Sequence, residues 1–443
     1  QMCELSVGLY NGDFVGDTNV AIQAAVDKAA SLGGGIVRLQ PGRYTMLDSL
    51  HMRSNVTIIG TEDKTVLWKP PSTSSPVLYY LGYGHFDVSV KEPDKFPIGS
   101  GIYVYDSKTP GFKATVATVI WKKGNELGLS RMLNADVHPA NDARAASVYP
   151  VVSGCHIKNA SLRDIVIDGN SSENEYINGC RGGGVYLYQA HDIKLENITV
   201  KNFNGDGISF QQCINTIVER CVCTDNTGHG LHPGSGSVGT IIRNCTFTGN
   251  GQDGIFYCLR VAYTLCENCV IKNNKKHGIS IGHRDNNSIL KGNNIVDNGG
   301  AGIYFRPDTL NFTGHHMLID GNYLENNCRL EDDGEICFDT SANNVHIINN
   351  IIKPWTNIIK QSTDTIKQST NTIEQSTRRK ISAINIRYPQ TNLLVYNNSL
   401  GDKELLQEHL TGETEGVLFY EPAEMLCAGP DHMPDDADIH LGI

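Results

Sequence analysis

From residue 184 onward the chain repeats one pattern of apolar and polar positions. A glycine is followed by alternating apolar and variable residues in GVYLYQ at 184, GISFQQ at 207, GLHPGS at 230, GIFYCL at 254, GISIGH at 278, GIYFRP at 302 and GEICFD at 334. The glycines are 23, 23, 24, 24, 24 and 32 residues apart. A period of 20 to 30 residues marks a solenoid, in which each unit buries its apolar face against its neighbours. Between the glycines run short β-rich stretches such as IKLENITV, TIVERCVC, TIIRNCTF and TLCENCVI, separated by Asn, Gly and Asp without helical periodicity. Three short strands per period make one coil of a right-handed parallel β-helix, an all-β fold. Asn197, Asn244 and Asn268 each stand ten residues before a repeat glycine. They are expected at corners, where Asn tolerates the left-handed bend and ladders its amide with the next rung. Cys221, Cys245 and Cys269, again 24 apart, are expected to stack inward as free thiols. The last step of 32 is one period plus about eight residues. It predicts a longer loop over 309–333, walling one side of a cleft, whose Glu331, Asp332 and Asp333 are candidate acids.

The ends of the chain follow other patterns. In GDTNVAIQAAVDKAASLGGG, Thr18 is a helix N-cap, and Ala21, Ile22, Ala25, Val26 and Ala29 share one face of a helix that ends at Gly33 to Gly35. A strand IVRLQ and a turn PGRY follow. Such a helix, laid across the open end of a solenoid, covers a first rung that would otherwise expose core and strand edge. Residues 70–155 break the period and read as a small antiparallel β insertion, with a turn at Lys123, Gly124 and Asn125. The resulting division is 1–69 for the helical cap and first coils, 70–155 for the insertion, 156–400 for the main β-helix and 401–443 for a terminal cover. Within the main β-helix, about 354–380 forms a surface insertion whose seven-residue repeat has too weak an apolar stripe for a coiled coil.

Composition narrows the partners. A net charge of −11 argues against nucleic acid, which requires a basic face, and only mildly against an anionic glycan. No apolar run reaches membrane-spanning length. Thirteen cysteines are an odd number, and no pair of motifs has zinc spacing, so neither a metal nor a cofactor is expected. The sequence starts at Gln1 without an apolar signal segment, so a signal was removed or none existed. A secreted or periplasmic protein is expected, with a cytoplasmic one kept open by the unpaired cysteines.

Laying the repeats over one another aligns the polar residues in columns. Alternate strand residues face outward, and equal offsets in successive rungs stack about 4.8 Å apart. Just before the glycine the column reads Asp206, His229, Asp253, His277 and Ala301. Two residues after it come Ser209, His232, Phe256, Ser280 and Tyr304. Arg306 is four after, and Ser235, Arg260, His283, Arg284 and Asp308 are five or six after. Turns favour Asp and Asn for hydrogen bonding, so Asp206 and Asp253 alone would be structural as readily as functional. Four of the fifteen histidines fall between 229 and 283, and turns have no special need of imidazole. The expected catalytic column is therefore Asp206, His229, Asp253 and His277, with His232, Arg260, His283, Arg284, Tyr304, Arg306 and Asp308 binding the sugar.

The cap segment resembles that of the pectate-lyase-like β-helix superfamily, which includes polygalacturonases, rhamnogalacturonases and phage tailspikes. NGDG at 204–207 is similar to the NTDG of polygalacturonase-type glycoside hydrolases, and HGISIG at 277–282 to their GHG-[IL]-S-I-G element. That family's Asp-Asp pair is missing here, and Arg306 in FRPD is a loose analogue of its RIK. The resemblance implies a polysaccharide or oligosaccharide substrate and an inverting glycoside hydrolase. Asp206 and Asp253, two rungs or about 9.6 Å apart, are compatible with the roughly 6.5 to 9.5 Å between inverting carboxyls. A polysaccharide lyase or uronate epimerase would instead take a histidine base and arginine neutralisation, and a tailspike-like protein would bind glycan without cleaving it.

Overall fold

The computed structural model describes residues 3–80, 82–109, 111–307, 313–354, 356–357, 379–399, 410–411 and 418–420. The chain winds as a right-handed parallel β-helix. Two continuous parallel sheets run along it, one of 22 strands that forms two sides of the coil and one of 11 short strands that forms the third. The short-strand sheet carries the repeat: Ile208–Gln211, Leu231–Gly234, Ile255–Phe256, Ile279–Ile281, Ile303–Phe305, Ile336–Phe338 and Ile384–Ile386 pair in that order. Their first residues are all fully buried, so the alternation read from the sequence places one aliphatic column in the core. Burying each such side chain favours folding by roughly 2 kcal/mol. Phe305 and Phe338 continue a second inward column, their rings stacked 4.4 Å apart.

The glycines are required by how closely rungs approach. A Cβ on Gly207, Gly230 or Gly254 would sit 2.7 Å from the carbonyl oxygen of the next rung's glycine. The last step departs from the sequence reading. Ile303 pairs with Ile336, which is 33 residues on, so Glu335 and not Gly334 occupies the glycine position. The extra residues are not one loop either. Ser288 pairs with Met317, 29 residues on, so five are inserted before Met317 and four more between Asn327 and Ile336.

Cys221, Cys245 and Cys269 are buried and free, as expected. Asn197, Asn244 and Asn268 do take left-handed φ values of 51°, 54° and 53°, but the continuous amide ladder lies elsewhere. The side-chain amide of Asn226 donates to Asn250, Asn250 to Asn274, Asn274 to Asn298 and Asn298 to Asn327, at 2.8–3.1 Å. These side chains are buried, the first four of them four residues before the repeat glycine, and each satisfies its neighbour's amide out of reach of water. The ladder ends on Glu335, whose carboxyl receives the backbone N–H and the side-chain amide of Asn327.

At the N-terminal end, the helix Asn19–Ser31 starts at Thr18, whose hydroxyl accepts from the Val20 N–H, and buries Ile22, Ala25, Val26 and Ala29. The antiparallel insertion is a six-stranded sheet from Ser74–Pro76 to Arg144–Ala146 with its own apolar core. The turn at Gly124 joins its strands Thr115–Lys123 and Glu126–Leu129. The expected surface insertion at 354–380 and the cover at 401–443 fall almost wholly outside the described residues. No helix among the described residues is long and apolar enough to cross a membrane.

Burial raises the Glu335 carboxyl to about 8, against the amide bonds from Asn327 that oppose it. A group that binds its proton more tightly folded than unfolded stabilises fully below its unfolded value and loses that contribution as pH rises toward its folded one. Thermal melts should therefore show stability falling between about pH 4.5 and 8, since each tenfold gain in proton affinity on folding is worth about 1.4 kcal/mol. Glu335→Gln should flatten this part of the curve. An unchanged slope in the variant would show that Glu335 does not carry the effect.

Candidate functional site

The polar column before the short strands is a hydrogen-bonded ladder. Asp206 Oδ1 accepts the N–H of His229 at 2.8 Å, and His229 Nδ1 meets the N–H of Asp253 at 3.2 Å. Asp253 Oδ1 accepts the N–H of His277 at 2.8 Å, and His277 Nδ1 accepts the N–H of Ala301 at 2.9 Å. At this turn each rung offers a backbone donor toward the rung below, and a carboxylate oxygen or an imidazole Nδ1 serves equally as acceptor. Asp and His therefore have a structural reason to occur here. What remains for chemistry is the second polar atom of each side chain.

For Asp206 that atom is also taken. Its Oδ2 lies 2.7 Å from His232 Nδ1, and both side chains are buried. Burial opposes the charge of each. The neighbouring His229 and His232 nevertheless hold the Asp206 carboxyl below its usual range, and Asp206 lifts His232 to about 10. The loop before Val185–Tyr188 covers the pair so tightly that a Cβ on Gly179 would run into Asp206 Oδ2 and His232 Nδ1. Its Gly179 carbonyl also accepts the Ser209 hydroxyl at 2.5 Å. Asp206 and His232, expected at the sugar, form instead a buried pair that fixes the turn. The reason is this loop, which carries no repeat signal.

The other half of the column is covered differently, although Asp253 and His277 are buried too. The His229 ring stacks on Phe256 at 4.3 Å and 9°, and the His277 ring on Tyr304 at 4.0 Å and 16°. Asp253 stands between them, with Oδ2 3.3 Å from His229 Nδ1. Burial raises the Asp253 carboxyl, but the bond and charge of His229 and the charge of His277 bring it below the usual range. Burial also lowers His277, against the pull of Asp253 and Asp333. With Nδ1 accepting from Ala301, the remaining proton of neutral His277 is on Nε2.

The four-residue excess before Ile336 brings two acids to this histidine. Glu331 Oε2 is 4.0 Å from His277 Nε2, and Asp333 Oδ2 is 3.8 Å from His277 Nδ1. The Glu331 side chain is 46% exposed, and partial burial with the neighbouring Asp333 raises its carboxyl. Arg387 holds Asp333 Oδ1 at 2.9 Å and Asp339 at 3.3 Å, and Asp339 takes the Tyr304 hydroxyl at 2.7 Å. Arg387 was not legible as a site residue because it stands beyond the irregular stretch, outside the period.

The expected sugar-binding residues separate. Arg306 is turned into the frame: its guanidinium donates to Ser280 Oγ and to the Tyr257 and Cys258 carbonyls, and lies 4.1 Å over the Phe256 ring. It braces the Phe256 and His229 stack. Tyr304 supports His277 from beneath. Arg260 and Arg284 are exposed corner residues with φ of 54° and 57°. They and His283 follow the short strands, six or seven residues beyond the acid and histidine column, up to roughly 20 Å of extended chain. Asp308 lies outside the described residues.

Residues 141–263 match the family model of the right-handed β-helix region. A comparison with the sequences of curated proteins finds no match. Among solved structures, the A-module of the mannuronan C-5 epimerase AlgE4 of Azotobacter vinelandii is similar over 94% of this chain and 98% of its own, with 14% identity and a TM-score of 0.50. A glycoside hydrolase is similar over 94% of this chain and 96% of its own, with 11% identity and a TM-score of 0.50. At these identities the likeness establishes the fold.

Removing one member of a buried ion pair leaves the other uncompensated. Asp206→Ala should therefore cost roughly 3–5 kcal/mol in denaturant unfolding. A variant as stable as the parent would return Asp206 to the surface and to direct chemistry.

Proposed function

We propose that the protein is a carbohydrate-active enzyme that cleaves glycosidic bonds of a polysaccharide or oligosaccharide by an inverting hydrolytic mechanism, with Glu331 as general acid and Asp253 as general base. One observation carries this reading: two carboxyls on either side of His277 have environments that push their proton affinities apart. Glu331 is held up and stays half exposed; Asp253 is held down by two imidazoles. Two acids separated in this way are what glycosidic cleavage uses, one giving a proton to the leaving oxygen and the other taking one from the attacking water. Asp253 keeps Oδ2 for that water, since Oδ1 is bonded to the His277 amide. His277 Nε2–H, beside Glu331, is placed to donate to a sugar hydroxyl or to the departing oxygen. The pairing replaces Asp206, which the sequence suggests but whose second oxygen is held by His232, by an acid on the loop the sequence also singled out. A secreted or periplasmic location suits such a polymeric substrate.

A second reading, elimination or epimerisation of a uronate, is favoured by one contact. A proton on His229 Nδ1, shared with Asp253 Oδ2 3.3 Å away in place of the bond that Nδ1 accepts from the Asp253 N–H, leaves Nε2 as a base.

The readings differ in product and in pH dependence. Hydrolysis yields a new reducing end with no absorbance near 235 nm, whereas elimination yields an unsaturated sugar that absorbs there (~235 nm, the conjugated double bond). Under the hydrolytic reading, Glu331→Gln should lower kcat by about 100-fold or more with KM little changed. It should also erase the alkaline limb of the kcat/KM profile, which the raised Glu331 carboxyl sets. Asp253→Asn should erase the acid limb. An unsaturated product, or a Glu331→Gln variant with its alkaline limb intact, rules out the assignment. A folded protein that binds glycans and turns none over supports the purely binding alternative.

A further inference from the structure

A second constellation stands where the antiparallel insertion meets the first rungs, on the short-strand sheet but away from the column. The strand Val152–Cys155 pairs in parallel with Leu50–His51, in a register that sets Ser153 beside His51. The hydroxyl of Ser153 is 3.2 Å from His51 Nδ1, and His51 Nε2 is 3.0 Å from Asp48 Oδ2. The Asp48 carboxylate is fixed in turn by the Ser49 N–H at 2.8 Å and the Thr118 hydroxyl at 2.7 Å. A carboxylate only accepts, so it selects the His51 tautomer with its proton on Nε2. The Nδ1 lone pair is then left facing the serine hydroxyl. Serine, base and orienting acid thus form a connected chain, the arrangement that activates a nucleophilic hydroxyl.

All three line a cavity of about 110 Å³ that also receives Arg131, Arg181 and Tyr186. Neither arginine pairs with a carboxylate among the described residues; Arg181 spends its donors on the carbonyls of Phe112, Ala114 and Cys180. A hydroxyl that merely stitches two strands together needs no such cavity. Two positive groups without a counter-charge suit a place where negative charge appears. The volume fits a small acyl group rather than a whole sugar ring.

We propose that this cavity is a second hydrolytic site, in which Ser153, His51 and Asp48 remove a small acyl ester such as acetyl from an esterified glycan. Ser153 Oγ gives its proton to His51 Nδ1 and bonds to the ester carbonyl carbon. The carbonyl π electrons move onto oxygen, toward Arg131. The C=O re-forms as the bond to the sugar oxygen breaks, and that oxygen takes the proton from His51. Water then repeats the sequence on the acyl-serine, giving its proton through His51 to Ser153 Oγ and releasing the free carboxylic acid. The site is independent of Glu331 and Asp253 and goes beyond the glycosidic reading.

The full chain should release acetate from 4-nitrophenyl acetate and from an acetylated oligosaccharide, and should cleave a 4-nitrophenyl octanoate far more slowly. A small alkyl fluorophosphonate should add one equivalent to the unaltered protein, on the peptide bearing Ser153. Ser153→Ala should abolish labelling and cut acetate release at least 100-fold, and His51→Gln should do the same. Ser153→Ala should leave depolymerisation of an unacetylated glycan unchanged, so a failure of the glycosidic reading is scored separately. An unlabelled Ser153 in the folded, unaltered protein overturns the proposal, and so does acetate release that survives Ser153→Ala. The labelling arm requires no variant to fold.

Discussion

The rest of this structure depends on how closely one rung approaches the next at the turn before the short strand. There the glycine of one coil lies against the carbonyl of the next, with no room for a Cβ. The backbone donors of the turn are thereby placed within reach of side chains from the rung below. Buried donors must be met, and the protein meets them twice at each turn. Inside, the asparagines from Asn226 to Asn327 pass amide to amide. Outside, Asp206, His229, Asp253 and His277 each point one polar atom at the N–H of the next rung. The fold thus asks for acceptors in a line, and aspartate or histidine supplies them.

Each side chain of the column thus holds the turn with one polar atom and keeps a second. One atom of each residue holds the turn and thereby fixes the orientation of the other, without a mobile rotamer to freeze when substrate arrives. What that second atom can do is decided by what covers it. Under the loop at Gly179, Asp206 and His232 find only each other and become a buried ion pair. Further along, the cover is aromatic: His229 stacks on Phe256 and His277 on Tyr304, with Asp253 buried between them.

The periodic features of the fold were legible in the sequence and the aperiodic ones were not. Spacing alone located the coil, the inward aliphatic column, the stack of Cys221, Cys245 and Cys269, and the helix capped by Thr18. It also lined up the column of polar residues from Asp206 to His277. It misplaced the asparagine ladder, because Asn197, Asn244 and Asn268 and the buried set from Asn226 share the same period, and period does not tell inside from outside at a corner. It took Gly334 for a repeat glycine, since Gly-Glu-Ile reads like Gly-Ile only until Glu335 is found inside, against Asn327. It did not reveal that four neighbours of Arg306 are acceptors for its guanidinium, because they come from other rungs.

Unlike polar groups in this molecule gather where the repeat is interrupted, and the physics of a solenoid explains why. A strictly periodic face places like side chains every 4.8 Å or so, which suits ladders and stacks but makes every site resemble its neighbours. Groups of opposed proton affinity need unlike surroundings. The short excess before Ile336 supplies them by carrying Glu331 and Asp333 to His277 from outside the ladder. At the other end, the antiparallel insertion does the same for His51 and Ser153. Its strand Thr115–Lys123 sends the Thr118 hydroxyl to Asp48, and Arg131 just beyond the sheet lines the same cavity. In both places the β-helix provides a rigid row of partly satisfied side chains, and an insertion turns one of them into a centre unlike the rest of the row.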